Sequence, residues 1–277
     1  MRPTLLAGIG VAAGIVGGLA GGGGGIVIVP ALDHFTSLRR SEIHGTSTLA
    51  NIAIAVAGVA FYVLRGGSLD LVAGPGMVVG GLVGAPLGAR FAKQSSEILL
   101  RTIFILVLVV ATIDLFFHAA GAVEGRASAL FPPAILDHEA VIALIAALIG
   151  MVVGAWSAAM GLGGGLLAVP ALVLLFGRGQ HVAEGTSLAL MLPNAISGAI
   201  AHVRQGTASV RLGAALGGGA LVGSILGVAL ALYLRASTLQ CVFGAFMMLV
   251  IVREGIAFRG RIRRGHAKNA SSHGAGG

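Results

Sequence analysis

The sequence predicts an all-α polytopic membrane protein built from two homologous halves. Three observations predict this fold class: the composition, the lengths of the apolar stretches and an internal repeat. Of the 277 residues, 56% are hydrophobic and only 10% are charged, whereas soluble domains carry roughly 25% charged residues. So few charged side chains do not cover the surface of a soluble domain of this length. The composition therefore excludes a soluble enzyme, and we expect the function to reside within the bilayer.

Long apolar stretches follow one another along the whole chain. They cover residues 4–20, 26–36, 44–64, 69–92, 98–118, 138–160, 166–176, 182–203, 209–234 and 237–257. A helix needs roughly 20 apolar residues to cross a bilayer, so 26–36 and 166–176 are too short to span. Each of these two follows a glycine cluster, Gly21 to Gly25 or Gly161 to Gly165. Glycine inside a helix costs about 1 kcal/mol relative to alanine, so we expect a broken helix at each cluster.

The polar interruption near the middle of the chain defines the domain organisation. We predict a first transmembrane repeat at 1–118, a connecting loop at 119–137 and a second transmembrane repeat at 138–257. The basic tail, residues 258–277, is expected to be disordered. Six of the 18 lysines and arginines lie between Arg253 and Lys268, which indicates an orientation signal rather than nucleic-acid binding. A single cysteine, Cys241, allows no internal disulfide and no cysteine metal site.

An internal repeat appears when the chain is aligned with itself at an offset of 140 residues. GGGGGIVIVPAL at 21–32 then aligns with GLGGGLLAVPAL at 161–172, and a Gly-Thr-Ser triplet at 45–47 aligns with another at 185–187. The shared VPAL and GTS letters, in register without a gap, indicate a duplication. Glycines at every fourth residue, as at Gly80, Gly84 and Gly88, predict close helix packing.

Two membrane topologies differ in where they place the positive charges. If each glycine cluster crosses straight through, seven lysines and arginines lie on one side and eleven on the other. If each cluster instead forms a re-entrant turn, Arg65, Arg126, Arg178 and Arg235 lie on one side and the other fourteen lie opposite. The second split follows the positive-inside rule better. It predicts inverted repeats, each with one discontinuous, re-entrant helix and about three transmembrane helices, and it places both termini in the cytoplasm. Full crossing of the first arm, 4–20, stays an alternative.

The candidate site lies around the two helix breaks, because irregular backbone at membrane depth is tolerated only inside protein or along a wet cavity. Helices that begin there direct free N–H groups and a partial positive charge toward the midplane, an arrangement that suits anions. The candidate substrate-binding residues are Gly22, Gly23, Gly24, Gly25, Thr46, Ser47, Asn51, Gly163, Gly164, Gly165, Thr186, Ser187 and Asn194. Helix capping is the alternative role for the hydroxyls, and interhelical hydrogen bonding for the asparagines.

His44 and Glu184 occupy equivalent positions just before the two GTS triplets. Gating or proton coupling is one role for them, and an interfacial polar position is the other. The spans contain few carboxylates, whereas proton and sodium pumps usually carry buried ones. Enzyme motifs such as HExxH, GxSxG and a phosphate loop ending in GKS or GKT are absent. We therefore predict a protein that is not an enzyme and that needs neither a cofactor nor a metal.

At the glycine clusters and GTS triplets the chain resembles the sulfite exporter TauE/SafE family over about residues 5–257. The first cluster departs slightly from the second, with GGGGG in place of GLGGG. The resemblance implies a transporter in the inner or plasma membrane that exports a small anion, sulfite or an organosulfonate such as sulfoacetate, by alternating access. Its partners are then the anion and the lipid bilayer, not nucleic acid, and a homodimer is compatible with the sequence. The alternatives are a channel or carrier for another small solute or a metal cation, and a non-transporting membrane assembly protein.

Overall fold

Every element in the described part of the chain is helical, which confirms the all-α class. The computed structural model describes residues 3–91, 102, 105–106, 108–113, 115–116, 130–131, 138–160 and 163–273. The helices before residue 100 are α1 (Pro3–Leu19), α2 (Gly25–Phe35), α3 (Arg40–Leu64) and α4 (Ala73–Phe91). Those after residue 138 are α5 (Glu139–Met160), α6 (Gly165–Pro170) with a π-helical continuation (Ala171–Leu175), α7 (Gln180–Arg204), α8 (Val210–Tyr233) and α9 (Ala236–His273).

Within the described ranges, five helices are long and apolar enough to cross a membrane. The candidate spans are Arg40–Leu64, Glu139–Ala158, Gln180–Arg204, Val210–Tyr233 and Ala236–Arg253. Shorter apolar helices cover Pro3–Leu19, Gly25–Phe35, Ala73–Leu87 and Gly165–Leu175. On α5, Leu144, Leu148 and Val152 are spaced four residues apart and are all exposed, as expected of a lipid-facing stripe. The chain is thus a multi-pass membrane protein; about half of the predicted span at 98–118 and most of the loop at 119–137 lie outside the described residues.

The helix bounds recur at the offset of the sequence repeat. The segments 25–35 and 165–175, which follow the two glycine clusters, are separated by 140 residues at both ends. The same is true of α3 and α7, each 25 residues long. Pro30 and Pro170 therefore fall at the same place, the sixth residue of each helix after a break.

Glycine ladders hold two pairs of helices in backbone contact. A Cβ atom added at Gly80 of α4 would lie on the carbonyl oxygen of Ala147 in α5, and one at Gly223 of α8 would lie on that of Val11 in α1. Only glycine permits such close approach along these faces. In each pair, one helix precedes the predicted connecting loop and the other follows it.

The last helix extends beyond the membrane-length segment. Helix α9 is described to His273, although the sequence predicts disorder from residue 258. The helix of the last span therefore continues beyond the membrane-length segment, which ends at Arg253.

Candidate functional site

Each glycine cluster turns the chain back along the helix that precedes it. A Cβ at Gly24 would lie 2.7 Å from Cβ of Ala13, and one at Gly164 would lie 3.1 Å from Cγ1 of Val153. Val153 is the residue equivalent to Ala13 at the 140-residue offset. Gly23 adopts φ +85°, in a region that is open to glycine at little cost. The two breaks therefore follow the same reversing path.

The two breaks pack against each other, backbone to backbone. A Cβ at Gly165 would collide with the carbonyl oxygen of Gly21 and with Cα of Gly22. From the same side, a Cβ at Gly163 would lie on the carbonyl oxygen of Gly22 and 3.0 Å from Cα of Gly23. All these residues are buried. Of the predicted glycine site residues, the structure thus brings Gly22, Gly23, Gly163 and Gly165 together into one contact, whereas Gly24 and Gly164 face side chains of their own halves.

Two predicted site residues bind the backbone of the first break. The side-chain oxygen Oδ1 of Asn51 accepts the Gly24 N–H at 2.9 Å, and Oγ of Ser187 donates to the Gly21 carbonyl at 2.7 Å. Both side chains are buried. In this conformation the Asn51 amide oxygen caps the start of α2, so that N–H group is already occupied.

The two threonines of the GTS triplets bind loops that lie far away in the sequence. Oγ1 of Thr46 accepts the Ser209 N–H at 3.0 Å, and Oγ1 of Thr186 accepts the Asp70 N–H at 2.8 Å. Asp70 caps α4 through Oδ1, which accepts the N–H groups at positions 72 and 73. Its Oδ2 pairs with Nε of Arg178 at 2.6 Å. The threonine hydroxyls therefore join the two halves. In this structure each has a structural role in place of contact with a solute.

Asn194 differs from the other predicted polar residues. It is 4% exposed, and neither its Oδ1 nor its Nδ2 has a hydrogen-bond partner within the described residues. The side chain lies against Gly81 of α4, and Gly81 packs on Gly154 of α5. One helical turn further along α5, Cβ of Ser157 is 3.9 Å from the position of a Cβ on Gly164. Ser157 thus lies beside the second break, and Asn194 lies against the segment of α4 that packs on the same helix, α5.

Of the two residues that precede the triplets, Glu184 is buried and His44 is half-buried. Glu184 is 1% exposed, and its Oε1 accepts the Gln180 Nε2–H at 2.8 Å. Glu184 is therefore enclosed by protein near the start of α7. The carbonyl of His44 accepts the Thr48 hydroxyl at 2.9 Å.

Arg253, Tyr62 and His202 are functional candidates that the sequence pattern did not indicate. Nη1 of Arg253 donates to the Ile26 carbonyl at 3.4 Å. Pro30 has no N–H with which to satisfy that carbonyl, so a proline four residues later was the available signal. Tyr62 and His202 are 140 residues apart, and their rings lie against Gly185 and Gly45 of the opposite triplets.

The described residues contain no group of three or more His, Cys, Asp or Glu side chains that could hold a metal ion. What they provide around the two breaks is backbone N–H and carbonyl groups, hydroxyls and amides. Groups of these kinds are hydrogen-bond donors and acceptors.

Helices of membrane length arranged around two broken helices define a multi-pass membrane protein of the kind found among transporters. The model of the family described as "Sulfite exporter TauE/SafE" matches residues 1–115 and 146–276. The chain belongs to this family of membrane transporters.

Two relatives from Bacillus subtilis (strain 168) are similar to the chain. "Probable membrane transporter protein YunE" is 27% identical over 275 residues, which cover 92% of this chain and 99% of YunE. "Probable membrane transporter protein YdhB" is 35% identical over 108 residues, covering 39% of this chain and 42% of YdhB. No solved structure matches the chain significantly.

Proposed function

We propose that this protein exports a small anion, sulfite or an organosulfonate such as sulfoacetate, by alternating access around the two glycine breaks. The observation that carries the proposal is the buried amide of Asn194, which has no hydrogen-bond partner among the described residues and lies against α4 where α4 packs on α5, the helix that precedes the second break. A buried polar group without a partner costs about 1–3 kcal/mol, and a bound solute removes that cost. The name of the matching family supplies the class of anion.

The proposal includes two inverted repeats with re-entrant breaks, and contacts between distant loops support this topology. The straight-through arrangement places Arg65 and Arg178 on opposite sides of the membrane, yet Arg178 pairs with Asp70, five residues after Arg65. It also separates Thr46 from Ser209, which are hydrogen-bonded. The re-entrant arrangement puts both members of each pair on the same side. By the positive-inside rule, both termini are then cytoplasmic.

Alternating access requires that the breaks separate without first breaking many side-chain bonds. The contact between Gly21–Gly23 and Gly163–Gly165 is backbone against backbone, so it holds by close approach rather than by interlocked side chains. Relative movement of the two halves then opens the region beside Asn194 first to one side and then to the other.

The membrane potential drives an anion outward. An inside-negative potential is worth about 2.3 kcal/mol per charge per 100 mV, so a monovalent anion reaches about fiftyfold outward accumulation without a coupled ion. Export of an anion through hydrogen-bonding groups therefore needs no carboxylate in the pathway itself.

Flux of labelled sulfite into proteoliposomes under an imposed inside-positive potential tests the proposal, with unlabelled sulfoacetate as competitor. We expect potential-dependent uptake that sulfoacetate inhibits. Asn194→Ala should lower this uptake, whereas Gln205→Ala, which removes an exposed amide just after α7, should not. Equal uptake by the two variants would contradict the site, and absence of uptake of either anion by the unmodified protein would contradict the function.

A further inference from the structure

Two buried side chains at the start of α7 share one hydrogen bond and leave two atoms unpaired. Gln180 and Glu184 are one helical turn apart and each is 1% exposed. Nε2 of Gln180 donates to Oε1 of Glu184 at 2.8 Å. The remaining oxygens, Oε1 of Gln180 and Oε2 of Glu184, have no hydrogen-bond partner in the described parts of the chain.

The charged and titratable groups around this end of α7 are engaged elsewhere. The hydroxyl of Tyr62 donates to the His181 carbonyl at 2.5 Å, while Nε2 of His181 lies 3.1 and 3.2 Å from two backbone carbonyl oxygens at the end of α8. Arg178 is paired with Asp70. On α9, the guanidinium of Arg253 donates to the Ile26 carbonyl. Among the described residues, no cation forms an ion pair with Glu184.

An ionised carboxylate does not suit this environment. It accepts hydrogen bonds and donates none, so it leaves the Gln180 oxygen without a donor. It is also an uncompensated charge within a membrane-spanning helix, which is costly. A protonated carboxyl donates its O–H to the Gln180 oxygen while the Gln180 N–H continues to donate to the carboxyl. Both unpaired oxygens are satisfied only in this protonated acid–amide pair.

The main chain of Glu184 also packs against the first break. A Cβ at Gly21 would lie 2.9 Å from Cα and from the carbonyl oxygen of Glu184. One turn later on α7, Ser187 donates to the Gly21 carbonyl. Any movement of the first break relative to α7 therefore changes the surroundings of the Glu184 carboxyl.

We propose that Gln180 and Glu184 form a proton-binding site whose occupancy is coupled to movement of the first glycine break. In the closed arrangement described here the carboxyl holds the proton against the Gln180 oxygen. Separation of the breaks admits water, and the proton leaves from Oε2. One carboxyl and one amide oxygen are too few for a hard metal cation, which takes about six oxygen ligands. The coupling deepens the proposed function and rests on it, whereas the proton-binding site itself does not.

Infrared difference spectroscopy on the full-length protein in lipid vesicles tests the site without any substrate. At neutral pH we expect the carbonyl stretch of a protonated carboxylic acid, and Glu184→Gln should remove it. The matched control is Glu42→Gln, because Glu42 is paired with Arg39 at the surface and its substitution should leave the band unchanged. Gln180→Leu, which removes both bonds of the amide, should shift the band. A band that is absent, or that persists in Glu184→Gln, overturns the site.

Proton movement in proteoliposomes tests the coupling. A gradient of methanesulfonate, which does not titrate near neutral pH, drives the flux, and a trapped pH indicator reports proton movement. We expect the unmodified protein to move protons in the direction opposite to the anion, which keeps transport dependent on the membrane potential. Glu184→Gln should lose proton movement. Anion flux without proton movement in the unmodified protein, or proton movement that survives the substitution, overturns the coupling. Sodium-dependent flux overturns it as well. Absence of any anion flux overturns the coupling together with the proposed function, while the infrared result still decides the site.

Discussion

The two breaks follow the same backbone path but differ in the side chains around them. At the first break Asn51 caps Gly24, whereas the residue equivalent to Asn51 in the second half is Met191. In the second half, Asn194 has no hydrogen-bond partner in the part of the chain that the structure describes, and its equivalent in the first half is the apolar Ile54. The duplication has therefore kept the geometry and redistributed the polarity. We interpret Asn51 as a side chain that stabilises the first break, and Asn194 in the second half as the side chain that is available to a solute.

The largest expected effect is loss of folded protein when a glycine at a close helix contact between the two halves is replaced. Gly80→Leu should abolish recovery of folded protein, because its Cβ would lie on the Ala147 carbonyl. Overpacking costs about 1–3 kcal/mol, and more where backbone must move. Gly218→Leu on α8, where nothing lies within 4 Å, is the matched control. Monodisperse yield in detergent and thermal unfolding compare the two, and equal values would contradict the packing.

Substitution of two neighbouring glycines at the second break distinguishes the contact between the two breaks from the contact within the second half. Gly165→Ala would drive a methyl group into Gly21 and Gly22, whereas the Cβ of Gly164→Ala meets only side chains of α5. We expect Gly165→Ala to lower anion flux by at least about tenfold and Gly164→Ala to retain most of it. Flux per folded molecule in proteoliposomes is the measurement, and the reverse order would show that the breaks do not meet during transport.

Alanine substitution of the two asparagines compares a side chain that caps a break with one that has no hydrogen-bond partner among the described residues. Asn51→Ala removes the cap on Gly24, which should cost about 1 kcal/mol and lower the unfolding temperature by about 2–4 °C. Asn194→Ala removes no hydrogen bond within the described residues, so its unfolding temperature should stay the same or rise. A comparable fall in both variants would remove the distinction.

The smallest effect concerns the carbonyl that Pro30 leaves free. Arg253→Met removes the donor to Ile26, a long bond worth about 0.5 kcal/mol. In a Pro30→Ala background, Ala supplies an N–H to the same carbonyl, so Arg253→Met should then cost less. A double-mutant cycle on thermal unfolding measures this coupling, and additive effects would contradict the assignment.

The repeat and the breaks are predictable from sequence because they depend on local features. Clustered glycines interrupt apolar helices wherever they occur, and the VPAL and GTS letters set the register without reference to the fold. The helix starts at Gly25 and Gly165 follow from the same local rule.

The roles of the polar residues are not predictable in this way. Whether the hydroxyl of Thr46 binds a solute or Ser209 depends on a loop 163 residues away, and Ser187 meets Gly21 across 166 residues. These pairings arise from the tertiary packing of the halves, which no local pattern encodes. Asn51 and Asn194 looked alike in sequence for the same reason.

The glycine ladders have a consequence for how the protein is made. Helices α1 and α4 find their close-packed partners, α8 and α5, only after the predicted connecting loop. During translation the first half therefore enters the membrane with two small-residue faces that no helix yet covers. Until the second half emerges from the ribosome, lipid or a chaperone of the insertion machinery must cover those faces, so we expect truncation before α5 to yield a substrate for membrane proteases.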